Sequence, residues 1–555
     1  MASRSGGQLV VEALAREGVS RIFSLSGGVI NPIYDACLDA GIAVVHTRHE
    51  GGAGFMADGW ARATGQPGVC VVTLGPGVTN TITPMLTALE AGSPMVVIAG
   101  QAPVARWDSG PAQAVHHLPL VSAACKWART VHDPARLPEY VASAYREALA
   151  GRPGPVFLDI PGNVLYGRAE AQHRPGAARS DARAWPDPSL VHRAAELLSS
   201  AERPLVVAGG GVWWSGAAAE VRELVELVGL PLLTARMGRG TLPRDHGLSF
   251  GLASIADNRV AEHALHETDC LVMLGERFDY YFEYGQPPHL SPEAKVIQVD
   301  PDRRSIGWNR GVDVGIVADV RATAGELVGA LRQRPAPRIG GWRASLETER
   351  RRLQQELSQH WRSDARPIHP LRVAHDVLAT VAEDAILVTG HGDVDFWADI
   401  IFEPNVPGGY LRAGQTGALG AEIPMAIAAK MAHPERDVAV LLGDGAFGYH
   451  GMELDVAASN GANVLCVIGN DAGWGATKHQ QELYYGADRA VATSTAFRHY
   501  ERIAEALGGY GACVEDPAEL RPALRRALDS GKPACVNVVM ASETSPFIAR
   551  SAARR

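Results

Sequence analysis

Acidic residues end two apolar segments in the last third of the chain. Asp444 stands in a Gly-Asp-Gly turn at the end of VAVLLGDG, and Asp471 follows Asn470 at the end of ANVLCVIGN. A helical stretch separates the segments, which predicts parallel strands with their carboxyl ends at one edge of a sheet. Carboxylates are preferred ligands of Mg²⁺, and glycines let backbone N–H groups approach a phosphate. A Gly-Asp-Gly turn alone is as often an ordinary strand ending, but the second acidic strand end favours a magnesium diphosphate site of Asp444, Asp471 and the Gly473 carbonyl.

The chain contains three regions with a similar sequence pattern, and their elements must position such a site. Each alternates short apolar runs with helical stretches. The runs are RIFSLSG, IAVVHT, GVCVVTLG, SPMVVIAG and GPVFLDIP in the first region, PLVVAGGG, LPLLTA, DCLVMLG and AKVIQVD in the second, and AILVTGHG, VAVLLGDG, ANVLCVIGN and ACVNVVMA in the third. Continuous apolar runs of this length are typical of parallel strands covered by helices on both faces. With predicted linkers at 168–188 and 332–342, the chain is expected to be α/β, with three doubly wound parallel-sheet domains at 1–170, 188–332 and 365–555.

The composition is that of a globular protein without a nucleic-acid or membrane partner. The chain has 555 residues, 46% of them hydrophobic, and a formal net charge of −9, so no basic surface for nucleic acid or an acidic membrane is expected. No window reaches the roughly 18–20 apolar residues of a membrane span, and the N-terminus lacks a signal-peptide core. The seven cysteines are scattered and form no CxxC pair, which argues against disulfides or a zinc site. We expect a soluble, cytoplasmic protein.

A further acidic residue, Glu50, follows the run IAVVHT and precedes a helix of small residues, GGAGFMADGWARATG. Alone it would be an ordinary N-terminal helix acid. Together with Asp444 and Asn470-Asp471, however, it makes the chain resemble the thiamine-diphosphate enzyme family over essentially its whole length. The family has two asparagines where this chain has Asn470-Asp471, so the metal-binding asparagine is matched by an extra carboxylate. The resemblance implies thiamine diphosphate and Mg²⁺ as cofactors, and pyrimidine-binding, central Rossmann-like and diphosphate-binding domains in that order.

Glu50 matches the glutamate that activates the cofactor in this family. In an apolar pocket it would share a proton with the aminopyrimidine ring, and the cofactor then supplies the nucleophile. The resemblance also implies a set of mostly glycine residues around the cofactor: Gly27, Gly28, Gly392, Gly417, Leu419, Gly443, Gly445, Ala446, Asn470, Gly473 and Trp474. It further implies that Glu50 and Asp444 meet across a subunit interface, so the protein would be at least a homodimer, with a homotetramer expected.

Parts of the first domain resemble the acetolactate synthase large subunit. They are SLSGGVINPIYDA, RHEGGAGFMADGWARATGQPGV and LGPGVTN. The acceptor site of that enzyme does not carry over, because its Phe-Gln-Glu stretch reads Ala112-Gln113-Ala114 and its Gly-Met-Val run is replaced in the segment from Trp474 to Gln481. The segment ERFDYYF at 276–282 matches the RFDDR of the same family only in part, which argues against FAD.

The third domain resembles benzaldehyde lyase in WGATKHQQ, in GADR at 486–489 and in GKPACVNV at 531–538. Gln113 matches an active-site glutamine of that enzyme, but Val29 stands where it has a catalytic histidine. The second domain resembles 2-hydroxyacyl-CoA lyase and oxalyl-CoA decarboxylase in the segment YGQPP at 284–288 and in PEAKVIQVD.

The central domain therefore has ADP or CoA as its candidate ligand. Asp300 could hold a ribose hydroxyl and Arg303 or Arg304 a phosphate, although a strand-end acid and a surface arginine pair are the more common explanation. Three C-terminal arginines could close on a CoA tail, although such tails are more often disordered: Arg550, Arg554 and Arg555.

Four polar residues are candidates for positioning the substrate and transferring protons: His49, Gln113, His479 and Gln480. Three other histidines lie in adjacent segments, where a solvated ring is more common than a catalytic one: His116, His117 and His450. We expect a carbon–carbon lyase or carboligase acting on a 2-hydroxyacyl-CoA or 2-hydroxy ketone through a hydroxyalkyl-thiamine intermediate, of the 2-hydroxyacyl-CoA lyase or benzaldehyde lyase type. Its small-molecule substrate would be an aldehyde, a ketone or an acyl-CoA. The alternatives are an acetolactate-synthase-like 2-keto acid decarboxylase and carboligase, and a catalytically silent binding subunit of the same fold.

Overall fold

A computed structural model describes residues 3–170, 176 and 182–553 of the chain. Its contacts divide the chain into two compact units. The first unit comprises residues 1–181 with 413–434 and 450–463, and the second comprises 182–412, 435–449 and 464–555. Two segments of the predicted diphosphate domain therefore pack with the first domain. Arg554 and Arg555 lie outside the described residues.

A six-stranded parallel sheet forms the centre of the first unit. Its strands in chain order are β1 Arg21–Ser24, β2 Ala43–His46, β3 Gly68–Val72, β4 Met95–Gln101, β5 Trp127–Thr130 and β6 Pro155–Pro161. Their spatial order is β2-β1-β3-β4-β6-β5. Every residue of β3, β4 and β6 is buried, which explains why these runs are almost wholly apolar. The direction of the strand order reverses between β1 and β3, and ligands of such sheets bind outside the strand ends at this switch point.

The second unit contains two further six-stranded parallel sheets. The strands of one are β7 Pro204–Ala208, β8 Leu232–Thr234, β9 Ser249–Leu252, β10 Cys270–Leu274, β11 Lys295–Asp300 and β12 Val314–Val317. The strands of the other are β13 Ile386–Thr389, β14 Tyr410–Arg412, β15 Val438–Gly443, β16 Leu465–Asn470, β17 Tyr510–Val514 and β18 Ala534–Val539.

Of the two sheets of the second unit, the one built from β13 to β18 repeats the strand order of the first unit, whereas the one built from β7 to β12 places its first strand third. Their orders are β9-β8-β7-β10-β11-β12 and β14-β13-β15-β16-β18-β17. The switch points accordingly lie between β7 and β10 and between β13 and β15. Three parallel sheets in an α/β arrangement confirm the predicted fold class, and each sheet falls within one predicted domain, whereas the exact domain boundaries stay a prediction.

Helices of six or more residues connect the strands. Those of the first unit are α1 Gly6–Arg16, α2 Asn31–Ala40, α3 Glu50–Thr64, α4 Ile82–Ala91 and α5 Leu137–Leu149, together with α13 Glu422–Ala432 and α15 Leu454–Ser459. Those of the second are α6 Pro188–Ser200, α7 Ala218–Val228, α8 Arg259–Glu267, α9 Val320–Leu331, α10 Gly340–Trp361, α11 Pro370–Thr380, α12 Asp393–Asp399, α16 Gly475–Tyr485, α17 Glu501–Ala506, α18 Pro517–Asp529 and α19 Pro546–Ala553. Helix α14 Asp444–His450 begins in the second unit.

The small residues of α3 serve close packing on α13. A Cβ added to Gly59 would lie 2.5 Å from the Cα of Met425, so only glycine permits this approach of the two helices. All seven cysteines are free, which agrees with the absence of a disulfide framework expected from their spacing. Within the described residues, no helix has both the length and the hydrophobicity needed to cross a membrane.

Candidate functional site

The switch point of the first sheet brings together the loops after β1 and β3. Gly27 packs directly on the second loop, since a Cβ there would lie 2.4 Å from the Cβ of Thr73. Gly28 follows at the start of a short turn, with open space where a side chain would be. The side chain of Val29 lies against Gly100 and provides no ring nitrogen, as the sequence indicates.

Glu50 is the first residue of α3 and only 9% of its surface is exposed. The side-chain amide of Asn80 donates a hydrogen bond of 3.0 Å to Glu50 Oε2. The carboxylate is therefore buried at a helix N-terminus, where the helix dipole favours negative charge, and its orientation is fixed by Asn80. Asn80 ends the LGPGVTN segment and was not among the predicted site residues, although an asparagine after a Gly-Pro-Gly turn was the available signal.

A second buried carboxylate fixes the turn that presents Glu50. Glu453 accepts hydrogen bonds from the backbone N–H groups of Arg48 at 3.1 Å and His49 at 3.0 Å. The Arg48 guanidinium also forms an ion pair with Asp455. Burial raises the pKa of Glu453 to about 7, even though the backbone donors lower it. The segment 450–463 thus holds the loop before the predicted catalytic glutamate in place.

His49 and His450 pack edge to face, with 5.5 Å between their ring centroids. His49 caps α3, its Nδ1 accepting from the Gly51 N–H at 2.9 Å, and its ring is otherwise exposed. His450 is buried, donates from Nδ1 to the Gly420 carbonyl at 2.8 Å, and has its pKa lowered to about 4, mainly by burial. The expectation of a solvated ring is therefore wrong for His450, which is a neutral structural histidine at physiological pH.

Gln113 lies on an exposed loop with a φ angle of 59°. This loop packs on the turn after β3, because a Cβ at Gly75 would lie 2.3 Å from the Gln113 carbonyl oxygen. The Gly75 N–H in turn donates to Nε2 of His117 at 3.0 Å, and His117 Nδ1 donates to Asp159 at 2.8 Å. His117 is also buried rather than solvated. A histidine–carboxylate pair therefore supports the turn beneath Gln113, whereas His116 is exposed.

The predicted pair Gly417 and Leu419 lies in the same unit as Glu50. Gly417 has a φ angle of 62° and open space around its Cβ position. Leu419 is half-buried. The next residue, Gly420, is fixed through its carbonyl by His450, so the backbone that follows Gly417 is anchored while Gly417 itself is exposed.

Asp444 lies at the switch point of the third sheet and is 2% exposed. Its Oδ1 has no hydrogen-bond partner among the described residues, and Thr495 Oγ1 donates to its Oδ2 at 3.3 Å. Burial and the negative charge of Asp471 raise the pKa of Asp444 to about 6. Two adjacent carboxylates, one with an unpaired buried oxygen, repel each other until a cation neutralises them. This donor set fits Mg²⁺, which prefers carboxylate oxygens.

The glycines beside Asp444 differ in what surrounds them. A Cβ at Gly443 would meet nothing within 4 Å, which leaves room for a phosphate at the end of β15. A Cβ at Gly445 would lie 2.7 Å from the Trp474 ring, so this glycine makes room for the tryptophan instead. Ala446 is buried on the same helix. These features fit a diphosphate cradle, in which Asp444, Asp471 and the Gly473 carbonyl would hold the metal.

The loop that carries Gly473 packs against the backbone of Thr493. A Cβ at Gly473 would lie 2.8 Å from the Thr493 carbonyl oxygen, and the Trp474 N–H donates to the same oxygen at 2.7 Å. Asn470 is buried and shapes the start of the loop: its Oδ1 accepts from the Ala472 N–H at 3.1 Å, and its Nδ2 donates to Asn537 at 3.0 Å. The side chain of Asn470 is thus engaged within the protein, and its predicted cofactor contact stays a prediction.

His479 is buried, and its ring lies between the Asp393 carboxylate and the Ser542 hydroxyl. Its Nδ1 is hydrogen-bonded to Asp393, and its Nε2 lies 3.2 Å from Ser542 Oγ. Burial lowers the pKa of His479, but the hydrogen bond and charge of Asp393 outweigh it and raise the pKa overall. Both ring nitrogens of His479 have protein partners, so the ring is part of a hydrogen-bond network with Asp393 and Ser542. Its predicted role in proton transfer stays a prediction.

Asp393 follows the predicted Gly392 at the end of β13 and was not anticipated. Its Oδ1 accepts from the backbone N–H of Ser545 at 3.2 Å and from the Ser545 hydroxyl at 2.6 Å. The signal for Asp393 was present, since it follows an apolar run ending in TGHG in the same manner as Asp444. Gln480, the neighbour of His479 on α16, is half-buried.

Asp300, Arg304 and Arg550, which were predicted to bind a nucleotide, already have partners within the protein. Asp300 is 5% exposed and accepts from the Asp302 N–H at 2.8 Å. Arg304 forms an exposed ion pair with Asp302. Arg550 lies in α19 and donates to the Ile255 carbonyl at 2.8 Å. The expectation that Arg550 belongs to a disordered tail is therefore wrong, and the residue is bound to the loop after β9 and to Glu262 of α8.

Comparison with known families agrees with this arrangement. The N-terminal TPP binding domain, the central domain and the C-terminal TPP binding domain of thiamine pyrophosphate enzymes match residues 4–120, 191–327 and 390–538. A probable acetolactate synthase of Mycobacterium bovis is 36% identical over 546 residues, covering 98% of this chain and 96% of its own. A probable acetolactate synthase large subunit of Methanocaldococcus jannaschii is 32% identical, covering 98% of this chain and 93% of its own. The acetolactate synthase isozyme 1 large subunit of Escherichia coli is 31% identical, covering 98% of this chain and 95% of its own.

These relatives favour the alternative prediction over the main one. They are named acetolactate synthases, so the 2-hydroxyacyl-CoA lyase or benzaldehyde lyase type receives no support from them. The departures at Ala112 and Ala114 concern one loop, whereas the similarity to these relatives spans nearly the whole chain. The chain belongs to the thiamine-diphosphate-dependent enzymes of the acetolactate synthase-like superfamily.

Proposed function

We propose that this protein is a Mg²⁺-dependent carboligase that uses thiamine diphosphate to join a 2-keto acid donor to a carbonyl acceptor, in the manner of acetolactate synthase. The observation that carries the proposal is the pair of carboxylates at the end of neighbouring strands, Asp444, which is buried and has an unpaired oxygen, and Asp471, which is half-buried. The relatives named acetolactate synthase, which cover nearly the whole chain, support the choice of donor.

Each residue has a separate task in this proposal. Asp444, Asp471 and the Gly473 carbonyl would hold Mg²⁺, and the open space at Gly443 would admit the diphosphate. Thiamine diphosphate supplies the carbanion chemistry when bound. Glu50, buried and oriented by Asn80, would exchange a proton with the pyrimidine ring of the cofactor, and its buried surroundings would keep out competing water.

The acceptor side is expected to differ from that of typical synthases. Ala112 and Ala114 are exposed and carry no group that could bind a carboxylate, so Gln113 is the polar side chain of this three-residue stretch. Gln113 would orient a carbonyl by hydrogen bonding, and His49 has an exposed ring available beside the start of α3. We therefore propose that the acceptor is an aldehyde or ketone without a strict requirement for a carboxylate.

The proposed assembly is at least a homodimer, with a homotetramer expected from the resemblance. The proposed location is the cytoplasm. ADP or CoA in the central domain is retained as a weaker proposal, since Asp300 and Arg304 already have partners. FAD remains unexpected from the partial match at 276–282. Acid extraction of the purified protein, followed by mass spectrometry and absorbance, tests all three ligands.

The test of the function is an assay of CO₂ release and product formation with purified protein, thiamine diphosphate, Mg²⁺ and pyruvate, with and without an added aldehyde. CO₂ release with acetolactate or a mixed hydroxyketone supports the proposal. The opposite outcome is that the protein binds the cofactor and turns over no 2-keto acid, but ligates formyl-CoA to an aldehyde. That result would contradict the proposal and favour a 2-hydroxyacyl-CoA lyase.

A Glu50→Gln variant separates an enzyme from a silent binding subunit. Gln keeps the size and the hydrogen bond to Asn80 but cannot share a proton in the same way, so an enzyme loses turnover while retaining most cofactor affinity. A silent subunit would give equal, negligible turnover before and after the substitution.

A further inference from the structure

A chain of polar side chains joins the C-terminal segment to the predicted metal ligand Asp471. Ser542 Oγ donates to Asp471 Oδ2 at 2.9 Å and lies 3.2 Å from His479 Nε2. His479 Nδ1 is bonded to Asp393. Lys478 Nζ lies 3.5 Å from the same hydroxyl. Asp471 is therefore contacted by a residue that lies outside the strand–loop motif from which the metal site was predicted.

The direction of the hydrogen bonds follows from the chemistry of the groups. A hydroxyl has one proton, and Ser542 gives it to Asp471, so its lone pairs are left to accept from His479 and Lys478. The carboxylate of Asp393 accepts at the other ring nitrogen. Both ring nitrogens of His479 therefore face groups that can accept a hydrogen bond. The Asp393–His479 pair thus sets the orientation of the hydroxyl, whose proton points to Asp471.

The backbone on both sides of Ser542 is fixed. The Met540 N–H donates to the Asn470 carbonyl at 3.0 Å, and the Ala541 N–H donates to Ile368 at 2.9 Å. Beyond Ser542, Trp397 Nε1 donates to the Glu543 carbonyl at 3.2 Å, and Ser545 is bound by Asp393. Since the segment is held at four points, the hydroxyl is placed before any ligand arrives, which is the condition for an effective supporting residue.

We propose that Ser542 is a positioning residue for the metal site: it holds the Asp471 carboxylate in the orientation that binds Mg²⁺, with His479 and Asp393 fixing its hydroxyl. This inference rests on the proposed function, because Asp471 matters as a ligand only if a Mg²⁺–diphosphate complex binds there. Residues that hydrogen-bond to metal ligands commonly change metal affinity by roughly 10–100-fold when removed.

The experiment measures Mg²⁺ affinity at saturating thiamine diphosphate, by quenching of tryptophan fluorescence, without any substrate. Ser542→Ala is expected to weaken Mg²⁺ binding roughly tenfold or more, because Asp471 loses its donor. Ser542→Thr keeps a hydroxyl and is expected to restore most of the affinity. Ser551→Ala, in α19 of the same C-terminal segment, is the matched control and should leave the affinity unchanged.

A double-variant cycle distinguishes positioning of Asp471 from a general structural effect. If Ser542 acts through the carboxylate, then Ser542→Ala should cost clearly less in an Asp471→Asn background than in the wild type. Equal losses in both backgrounds, or no loss in the single variant, would overturn the inference. If the wild type shows no Mg²⁺-dependent binding of thiamine diphosphate, the proposed function has failed instead, and the two failures are thereby distinguished.

Discussion

Glu453 and His49 are joined by a hydrogen bond of 3.0 Å from the His49 backbone N–H to a buried carboxylate oxygen. The bond links the segment after α14 to the residue immediately before Glu50, across 404 positions of sequence. The position of the predicted catalytic glutamate is therefore set by packing within the first unit as well as by the strand that precedes it.

Glu453 and the nearby His450 should contribute to the stability of the apo-protein with opposite dependences on pH. The pKa of Glu453 is raised from 4.5 to about 7 in the folded state, so its contribution is fully present below pH 4.5 and is lost as the pH rises through 7. The pKa of His450 is lowered from 6.5 to about 4, so its contribution is present above pH 6.5 and is lost as the pH falls through 4. Each contribution is on the order of 1–3 kcal/mol.

Urea unfolding of Glu453→Gln and His450→Asn across this pH range separates the two contributions. Relative to the wild type, Glu453→Gln should become more stable as the pH rises from 4.5 to 7, because the destabilising ionisation is gone. His450→Asn should become less stable, relative to the wild type, as the pH rises from 4 to 6.5. Parallel pH profiles for both variants and the wild type would contradict the assignment.

The interior strands of the three six-stranded sheets could be predicted from the sequence, whereas β2 was the one edge strand that could. The strands missed by the apolar-run pattern were β5, β9, β12, β14 and β17, each of which lies at the edge of its sheet. An edge strand pairs on one side only and keeps some residues in contact with solvent, as in β17, where four of five residues are not buried. Its sequence therefore lacks the continuous apolar run that marks an interior strand.

Asp444→Asn should stabilise the apo-protein while weakening cofactor binding. The carboxylate is buried beside Asp471 and has its pKa raised to about 6, so the charged form costs stability at neutral pH, and its removal should add about 1–3 kcal/mol to the free energy of unfolding. The same change removes a Mg²⁺ ligand. Thermal unfolding with and without Mg²⁺ and thiamine diphosphate measures both effects.

Thr495→Val is the control for this substitution. It removes only the 3.3 Å hydrogen bond to Asp444 and should change neither quantity by more than about 1 kcal/mol. An Asp444→Asn variant that is less stable than the wild type in the apo state would show that another interaction dominates at this carboxylate.

The carboxylates of the predicted metal site were recognisable from the sequence because they follow consecutive strands of one sheet. Asn80, Glu453 and Ser542 were not, because their contacts with Glu50, His49 and Asp471 join segments 30, 404 and 71 positions apart. Residues at such separations meet only once packing is known, and a single sequence carries no pattern that pairs them.

The two glycines flanking Asp444 should respond differently to alanine. Gly443→Ala places a Cβ in open space, so the apo-protein should keep its melting temperature, while thiamine diphosphate binds more weakly because the methyl group occupies the space proposed for the diphosphate. Gly445→Ala places a Cβ 2.7 Å from the Trp474 ring and should destabilise the apo-protein by about 1–3 kcal/mol. Equal cofactor affinity of Gly443→Ala and the wild type would place the diphosphate elsewhere.

Gly75→Ala should disturb the Gln113 loop as well as the fold. The residue has a φ angle of 60°, and its added Cβ would lie 2.3 Å from the Gln113 carbonyl oxygen, so the loop must move. Gly41, with a φ angle of 67° and open space around it, is the matched control, and its replacement by alanine should cost only the roughly 1 kcal/mol of an unfavourable backbone conformation. We expect Gly75→Ala to cost about 2–4 kcal/mol and to raise KM for the acceptor. Because Gly41→Ala leaves Gln113 in place, an equal KM change in both variants would show that Gln113 does not contact the acceptor.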